Sequence, residues 1–192
     1  MIDLQAGTIM GSSKKLGDIR IAVSGKSGCG NTTVSRLLAD TLKLRFINFT
    51  FRSLAQEKGM DLKEIIALAA KDDLWDREVD TRQVELAREG GGCVLGSRLA
   101  IWMLPEADLK VFLDARPETR AKRIQGREGE SLKDIMEFTA YRDQQDHERY
   151  LRIYKIDNDD YSFADIVIDT DDISPPEIVE IIIAEMKKKL SS

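Results

Sequence analysis

The stretch that decides the fold is Gly25-Lys26-Ser27-Gly28-Cys29-Gly30-Asn31-Thr32, which matches G-x-x-x-x-G-K-[ST] except that Asn31 replaces the lysine. Residues 19–24 before it are largely apolar and predict a buried strand. Apolar residues at helical spacing over residues 31–44 predict an amphipathic helix after it. A glycine turn between strand and helix aims backbone N–H groups and the helix dipole at anions. The stretch therefore predicts a phosphate-binding loop, with a plain glycine-rich turn as the alternative.

The loop residues have individual roles in this interpretation. Thr32 stands where a hydroxyl binds magnesium, and we expect Asn31 to donate a hydrogen bond to a phosphate oxygen without bringing the usual positive charge. On this view, Asn31→Lys restores the missing ammonium and raises kcat. The residues expected to contact nucleotide phosphates are Gly25, Ser27, Gly28, Cys29, Gly30, Asn31, Thr32 and Thr33.

Two other side chains of the loop allow more than one interpretation. The position of Lys26 resembles that of a lysine in the deviant phosphate loops of MinD/ArsA ATPases, which reaches a partner subunit's nucleotide. Lys26 is thus either a catalytic cation or a solvated loop lysine. The amides around Cys29 can lower its pKa, although structural filler is the simpler role. Cys29 and Cys93 are too few for a disulfide framework or a metal site.

The composition is that of a soluble enzyme. Of 192 residues, 33% are charged and 6% aromatic, and the net charge of −5 argues against bulk binding to nucleic acid or anionic membrane. No apolar run approaches about 18 residues, the length a membrane span requires. Residues 1–17 lack the features of a signal peptide. We therefore expect a cytoplasmic protein with a disordered extension over 1–17 and one domain over 18–192.

Short β-branched runs alternate with longer helical patterns along the chain. This alternation predicts an α/β fold in which a parallel five-stranded sheet lies between helices. Residues 50–89 and 120–153 are longer than simple crossovers require. We interpret the first as a helical lobe and the second as a charged flap over the phosphate loop, with a solvated surface as the alternative for the flap. The remaining strands are expected at 45–48, 92–95, 108–113 and 163–168, and the other helices at 117–128, 131–153 and 175–190.

Arginines recur where a phosphoryl-transfer enzyme needs positive charge. Arg52 and Arg98 each follow a predicted strand, at the sheet edge where open parallel sheets bind ligands. Two helix faces carry further sets at helical spacing: Arg120, Arg123 and Arg127 on one, and Arg142, Asp146 and Arg149 on the other. Arginine stays charged and its fork matches phosphate oxygens. Each set alone is also compatible with surface ion pairs, but together with the loop they favour phosphoryl transfer.

These residues together resemble the cytidylate kinases, of the compact type common in archaea, within the nucleoside monophosphate kinase group. The resemblance covers residues 19–188, and its most specific motif is R-D-x-x-D-x-x-R at 142–149. The other motifs are residues 24–33, Phe51-Arg52-Ser-Leu-Ala-Gln-Glu-Lys-Gly59, Ser97-Arg98-Leu-Ala100, Leu113-Asp114-Ala115 and Arg120-Ala-Lys-Arg123.

The resemblance implies a P-loop kinase fold with small helical insertions, namely a monophosphate-binding lobe at 50–89 and a lid at 120–153. It implies ATP-dependent phosphorylation of CMP or dCMP with Mg²⁺ on Thr32, in a monomer or homodimer that binds neither nucleic acid nor membrane. The implied roles are acceptor phosphate for Arg52, Arg98 and Arg149, ribose for Arg142 and Asp146, and donor triphosphate for Arg120 and Arg123. Asp76, Asp80 and Arg82 are expected near the acceptor without assigned roles.

Two positions depart from the pattern of such kinases. Asn31 replaces the loop lysine, and Gly96 stands where these kinases carry an acidic residue. A catalytically impaired, kinase-like regulatory protein that binds nucleotides is therefore the alternative function. The sequence leaves CMP, dCMP and UMP open as acceptors.

Overall fold

The computed structural model describes residues 14–128 and 131–191 and contains a five-stranded, fully parallel sheet. The strand order is β2-β3-β1-β4-β5. The parallel five-stranded sheet confirms the α/β fold that the sequence alternation predicts. The strands are β1 Arg20–Gly25, β2 Arg45–Ile47, β3 Cys93–Gly96, β4 Leu109–Asp114 and β5 Ile166–Asp169. The helices are α1 Asn31–Leu42, α2 Phe51–Lys58, α3 Leu62–Ala69, α4 Leu74–Arg88, α5 Ala100–Met103, α6 Pro117–Glu128, α7 Leu132–Tyr154 and α8 Pro175–Leu190.

The central strands are apolar because helices cover both faces of the sheet. Strand β3 is buried at every position, and β1 is buried after Arg20. On one face, α1 and α8 pack Leu38, Ile182 and Met186 against the sheet. On the other, α4 and α5 contribute Ala87 and Ile101. The phosphate loop and the segments after β2 and β3 therefore meet at one edge of the sheet.

Residues 50–89 form three helices with a small apolar cluster of their own. Leu54 of α2, Ile65 of α3 and Val79 of α4 are buried in it together with Phe49. Helices α6 and α7 pack through a separate cluster of Ala121, Ile124 and Ile135. Both segments are thus helical, as expected, while their roles as acceptor lobe and lid stay predictions.

Two boundaries differ from the sequence prediction. The boundary predicted after residue 17 is too late, because residues 16 and 17 already belong to the domain. Leu16 is buried in the core, and Gly17 accepts a hydrogen bond from the amide of Gly92. Residues 1–13 lie outside the described residues. Strand β5 begins at 166 rather than 163, because Ala164 donates to the carbonyl of Tyr161 in a turn. Within the described ranges, no helix has the length and apolar character needed to cross a membrane.

Candidate active site

The phosphate loop has a backbone that glycine alone adopts readily. Gly28 and Gly30 have φ of 88° and 90°, in the left-handed region. Gly30 is the N-cap of α1 and has no side chain that can occupy the amides of the first helical turn. A Cβ on Gly28 would lie 2.8 Å from the carbonyl oxygen of Arg120. The loop thus leaves helix amides for an anion and packs closely on α6.

A single cavity of about 620 Å³ extends from this loop to the lobe formed by α2, α3 and α4. Among the described residues that line it, four are arginines and two are aspartates, so its wall is positive although the chain as a whole is acidic. The charged lining residues are Arg98, Arg123, Arg142, Arg149, Asp76 and Asp80. The lining also includes every residue of the loop that is expected to contact nucleotide phosphates, namely Gly25 and Ser27 to Thr33.

Three buried polar side-chain atoms in the described part of the chain lack a hydrogen-bond partner, and all three belong to residues that line this cavity. They are Gln83 Oε1, Ser97 Oγ and Arg149 Nε. Buried polar atoms are nearly always hydrogen-bonded, because leaving them unpaired costs about 1–3 kcal/mol. Their concentration around one cavity indicates a site built for a polar ligand.

Asn31 does not face the cavity in the way that the sequence suggests. Its Nδ2 donates to the carbonyl of Val23 at 3.0 Å and to the carbonyl of Ser97 at 3.1 Å. Its Oδ1 accepts from Ser35 Oγ at 3.1 Å. Because both amide hydrogens are used, the expectation that Asn31 donates to a phosphate oxygen is not met in this structure. The side chain instead links the ends of β1 and β3 beneath the loop.

The second departure, Gly96, is structurally coupled to the first. A Cβ at Gly96 would lie 2.6 Å from Ser35 Oγ and 3.1 Å from Asn31 Oδ1. An acidic side chain at this position therefore cannot coexist with the present positions of Asn31 and Ser35. The absence of a side chain at Gly96 thus makes room for the neutral, hydrogen-bonded pair of Asn31 and Ser35.

The arginines of α6 support the loop from behind. Arg120 is buried, donates to the carbonyl of Ser27 at 3.1 Å and pairs with Asp143 at 2.6 Å. Arg123 donates to the carbonyl of Gly28 at 3.3 Å and to Thr170 Oγ1 at 3.0 Å. Only Arg123 of the two lines the cavity. Both arginines therefore hydrogen-bond to carbonyls of the loop. Their contact with the donor triphosphate stays a prediction.

A chain of alternating charges joins the loop to helix α4. Arg98 Nη1 pairs with the carboxylate of Asp146, and its Nη2 lies 3.4 Å from Ser27 Oγ. Arg149 Nη2 donates to the other oxygen of Asp146 at 2.8 Å, and its Nε lies 3.4 Å from Asp76 Oδ1 without a hydrogen bond. Asp146 is buried between the two arginines and does not line the cavity. Its predicted contact with ribose is untested, and in this structure it positions Arg98 and Arg149.

The remaining predicted residues divide between the cavity and the surface. Arg142 lines the cavity, whereas Arg52 is exposed on the first turn of α2 and does not. Lys26 also lies outside the main cavity, with its Nζ 2.6 Å from Asp159 Oδ1. Arg82 pairs with glutamates on the outer surface, 3.5 Å from Glu57 and 3.3 Å from Glu89.

Cys29 is structural. It is buried, and burial raises the pKa of its thiol to about 11. The alternative in which loop amides lower this pKa is therefore wrong. Cys93 is likewise buried, and both cysteines are free thiols.

Two places have ligand types suited to a cation. Thr32 and Thr33 line the cavity at the first turn of α1, where a hydroxyl can reach an ion bound to phosphates. His147, Asp157 and Asp159 also bring potential ligand atoms within 4.8 Å of one another. The Lys26 ammonium already neutralises Asp159, so this second group is an ion-pair cluster here.

Sequence reasoning missed Asp143, and it assigned Asp146 to ribose without its pairing to arginines. Asp143 lies three residues before Asp146 on α7, so both carboxylates reach the same side, where they hold Arg120 and Arg98. The motif R-D-x-x-D contains both aspartates, but their partners lie on α6 and after β3 and are invisible in the local pattern.

Comparison with known proteins supports the assignment that these residues suggest. The model of the cytidylate kinase-like family matches residues 20–172, which include the loop, the lobe and α7. The chain belongs to the cytidylate kinase-like family. This membership confirms the family resemblance inferred from the sequence and the class of enzyme, a nucleoside monophosphate kinase.

Individual relatives agree. Cytidylate kinase 2 of Borreliella burgdorferi is 46% identical over 175 residues, covering 89% of this chain and 97% of the relative. The cytidylate kinase of Pyrococcus horikoshii is 42% identical over 164 residues, covering 84% of this chain and 85% of the relative. Among solved structures, shikimate kinase from Bacteroides thetaiotaomicron has a TM-score of 0.61 at 17% identity. The match covers 91% of this chain and 99% of the shikimate kinase. The predicted P-loop kinase fold is thereby confirmed, and the regulatory alternative is not favoured.

Proposed function

We propose that this cytidylate kinase-like protein transfers the γ-phosphoryl group of ATP to CMP or dCMP. The observation that carries the proposal is the single cavity that joins the phosphate loop to an arginine-walled recess against α4. A transferase of this class must hold two nucleotides with their phosphates adjacent, because proximity and orientation supply much of the rate. The relatives named cytidylate kinase support a cytosine nucleotide as acceptor.

The donor half of the cavity is the loop and the first turn of α1. The amides after Gly28 and Gly30, with the helix dipole, suit the β- and γ-phosphates. The Thr32 hydroxyl fits a Mg²⁺ ligand, and Gly96 means that no carboxylate follows β3 to assist it. Bound there with the nucleotide, Mg²⁺ would neutralise negative charge on the donor phosphates.

The acceptor half has Arg98 and Arg149 for the acceptor phosphate and Arg142 for the ribose of the same nucleotide. Arg98, Arg142 and Arg149 line the cavity between the loop and α4. An acceptor phosphate oxygen forms the new bond to the γ-phosphorus while the bond to the β,γ-bridging oxygen breaks. The acceptor phosphate is ionised near neutral pH, with a second pKa of about 6, so no general base is needed. The arginines orient this oxygen and stabilise the charge that spreads over the transferring group.

The proposal is tested by coupled release of ADP with CMP, dCMP, UMP and AMP as acceptors, with and without Mg²⁺. The expected result is Mg²⁺-dependent turnover that is highest with a cytosine nucleotide. Shikimate serves as the control acceptor, since the structural similarity to a shikimate kinase reflects the fold alone. Turnover with AMP above that with CMP and dCMP would contradict the proposed acceptor.

Lys26 is a candidate source of the charge that Asn31 does not provide. Its pair with Asp159 is half exposed, and such pairs contribute about 0–1 kcal/mol, so phosphates can compete for the ammonium. We expect Lys26→Ala to lower kcat by about tenfold or more, equivalent to about 1.4 kcal/mol, with little change in Tm. Steady-state kinetics and thermal unfolding measure the two effects.

Asp159→Asn is the matched control for this experiment. It removes the same ion pair but keeps the ammonium of Lys26, so kcat should stay at the wild-type value. Equal losses of kcat in both variants would mean that the ion pair, and not the ammonium on the phosphates, matters. Wild-type turnover of Lys26→Ala would leave the arginines as the cations of the site.

A further inference from the structure

The wall of the recess on α4 carries a carboxylate that the arginine network does not use. Asp80 lines the cavity one helical turn after Asp76. Tyr154 of α7 donates its hydroxyl to Asp80 Oδ2 at 2.6 Å, and Gln83 Nε2 donates to Asp80 Oδ1 at 2.9 Å. Two donors thus fix the plane of the carboxylate. A carboxylate offers about four acceptor sites, so acceptor capacity remains on the side of the cavity.

The groups that contact this carboxylate add acceptor atoms to the recess. Tyr154 donates its hydroxyl hydrogen to Asp80, Gln83 donates one amide hydrogen to it, and Gln83 Oε1 is a buried acceptor without a partner. Asp76 adds a second carboxylate on the same face of α4. Asp76, Asp80 and Gln83 Oε1 therefore make this side of the recess rich in hydrogen-bond acceptors, which complements a ligand edge that presents N–H donors.

We propose that Asp80, fixed by Gln83 and Tyr154, accepts a hydrogen bond from the exocyclic amino group of the acceptor base and thereby selects cytosine over uracil. The inference rests on the proposed function and names the residue that reads the base. Cytosine presents an amino group where uracil presents a carbonyl oxygen. A carbonyl facing an ionised carboxylate leaves two acceptors without a donor between them. We expect this mismatch to lower kcat/KM for UMP about 10- to 100-fold relative to CMP.

The charge state of Asp80 makes this preference depend on pH. The charged or titratable groups around Asp80 are Asp76 on α4 and Arg149, Tyr150 and Tyr154 on α7. Burial, helped by the nearby charge of Asp76, raises the pKa of Asp80 to about 6 against the opposing effects of Tyr154 and Arg149. Above this pKa the group only accepts hydrogen bonds. Below it, the protonated group can donate to a uracil carbonyl, so the preference for CMP should fall.

The first test is Asp80→Asn, whose amide can donate as well as accept. The ratio of kcat/KM for CMP to that for UMP should fall at least about tenfold, while the KM for ATP stays unchanged. The matched control is Glu78→Gln, which removes a carboxylate from the exposed side of the same helix, where Glu78 pairs with Lys58. An active Asp80→Asn enzyme that keeps the wild-type ratio overturns the inference.

The second test uses the folded wild-type enzyme and therefore does not depend on the stability of Asp80→Asn. The ratio of kcat/KM for CMP to that for UMP should fall as the pH drops from about 8 to about 5.5, since Asp80 gains its proton in this range. Titration of the acceptor phosphate is common to CMP and UMP and cancels in the ratio. Tyr154→Phe removes a hydrogen bond to the ionised form, so the fall should begin at higher pH. A ratio that stays flat over the whole range overturns the inference.

Direct binding separates this inference from the proposed function. Calorimetry gives Kd for CMP and UMP in the absence of turnover. Equal Kd values would overturn selection by Asp80, whatever the turnover assay gives. Selective binding of CMP without phosphoryl transfer would support selection by Asp80 and contradict the proposed reaction.

Discussion

Arg98→Ala should lower kcat/KM for phosphoryl transfer by about 10²–10³-fold, the loss typical when one preorganised charge is removed from a transition state. Its guanidinium lies where the loop meets the acceptor recess, 3.4 Å from Ser27 Oγ, and is held there by Asp146. Arg123 also lines the cavity, but it contacts the loop at the backbone carbonyl of Gly28. Steady-state kinetics with varied ATP and varied CMP measure the loss.

Two further variants make the Arg98 experiment specific. Arg98→Lys keeps the charge but loses the fork, so it should recover only part of the activity. Arg88→Ala removes an arginine from an exposed pair with Glu106 and should keep wild-type kinetics. Arg98→Ala should also lower the free energy of unfolding by about 1–3 kcal/mol, because buried Asp146 Oδ2 loses its donor while Oδ1 keeps Arg149, so kinetics are measured well below the Tm of the variant. If Arg98→Ala were as active as Arg88→Ala, the proposed role of Arg98 in stabilising the transition state would be contradicted.

Asn31→Lys should destabilise the protein and fail to raise kcat. Lysine cannot reproduce the amide that donates to the carbonyls of Val23 and Ser97 and accepts from Ser35, so three side-chain hydrogen bonds are lost. The expected loss is about 1–3 kcal/mol of unfolding free energy. For a chain of this size each kcal/mol lowers Tm by roughly 2–4 °C. Thermal unfolding and kcat, measured on the same preparations, test both parts.

Asn31→Ala is the control for Asn31→Lys. It removes the same hydrogen bonds without adding an ammonium, so its Tm should fall by a similar amount. If kcat of Asn31→Lys rises above that of the wild type, the ammonium has reached the phosphates and the structural role of Asn31 is not limiting. That result would restore the expectation drawn from the sequence motif alone.

The fold was predictable because its determinants are local in the sequence. The glycines from Gly25 to Gly30 require a tight strand-to-helix turn, and the alternation of β-branched runs with helical patterns requires a covered parallel sheet. The start of α8 at Pro175 follows from the same kind of local signal. Leu16 escaped prediction because a single apolar residue among polar ones shows no periodicity, although the sheet edge covers it.

The candidate site was predictable in its residue types but not in its contacts. The arginines after the strands and on α7 were identified from spacing, and three of the five predicted substrate residues line the cavity: Arg98, Arg142 and Arg149. The direction of Asn31 depends on Ser35 and on the missing side chain of Gly96, which lie on different elements. The same holds for Asp80, whose partner Tyr154 is distant in sequence. Such relations come from tertiary packing, which no motif encodes.

The hydrogen bonds on the back of the phosphate loop determine how its peptide planes are oriented before a ligand arrives. The carbonyl of Ser27 accepts from Arg120, that of Gly28 from Arg123, and that of Cys29 from Thr170. In a planar trans peptide the N–H points away from the carbonyl, so each occupied carbonyl directs the following amide to the opposite side. A peptide flip would break a hydrogen bond to a guanidinium or a hydroxyl. An incoming triphosphate therefore meets amides that are already aligned, and binding requires little reordering of the backbone.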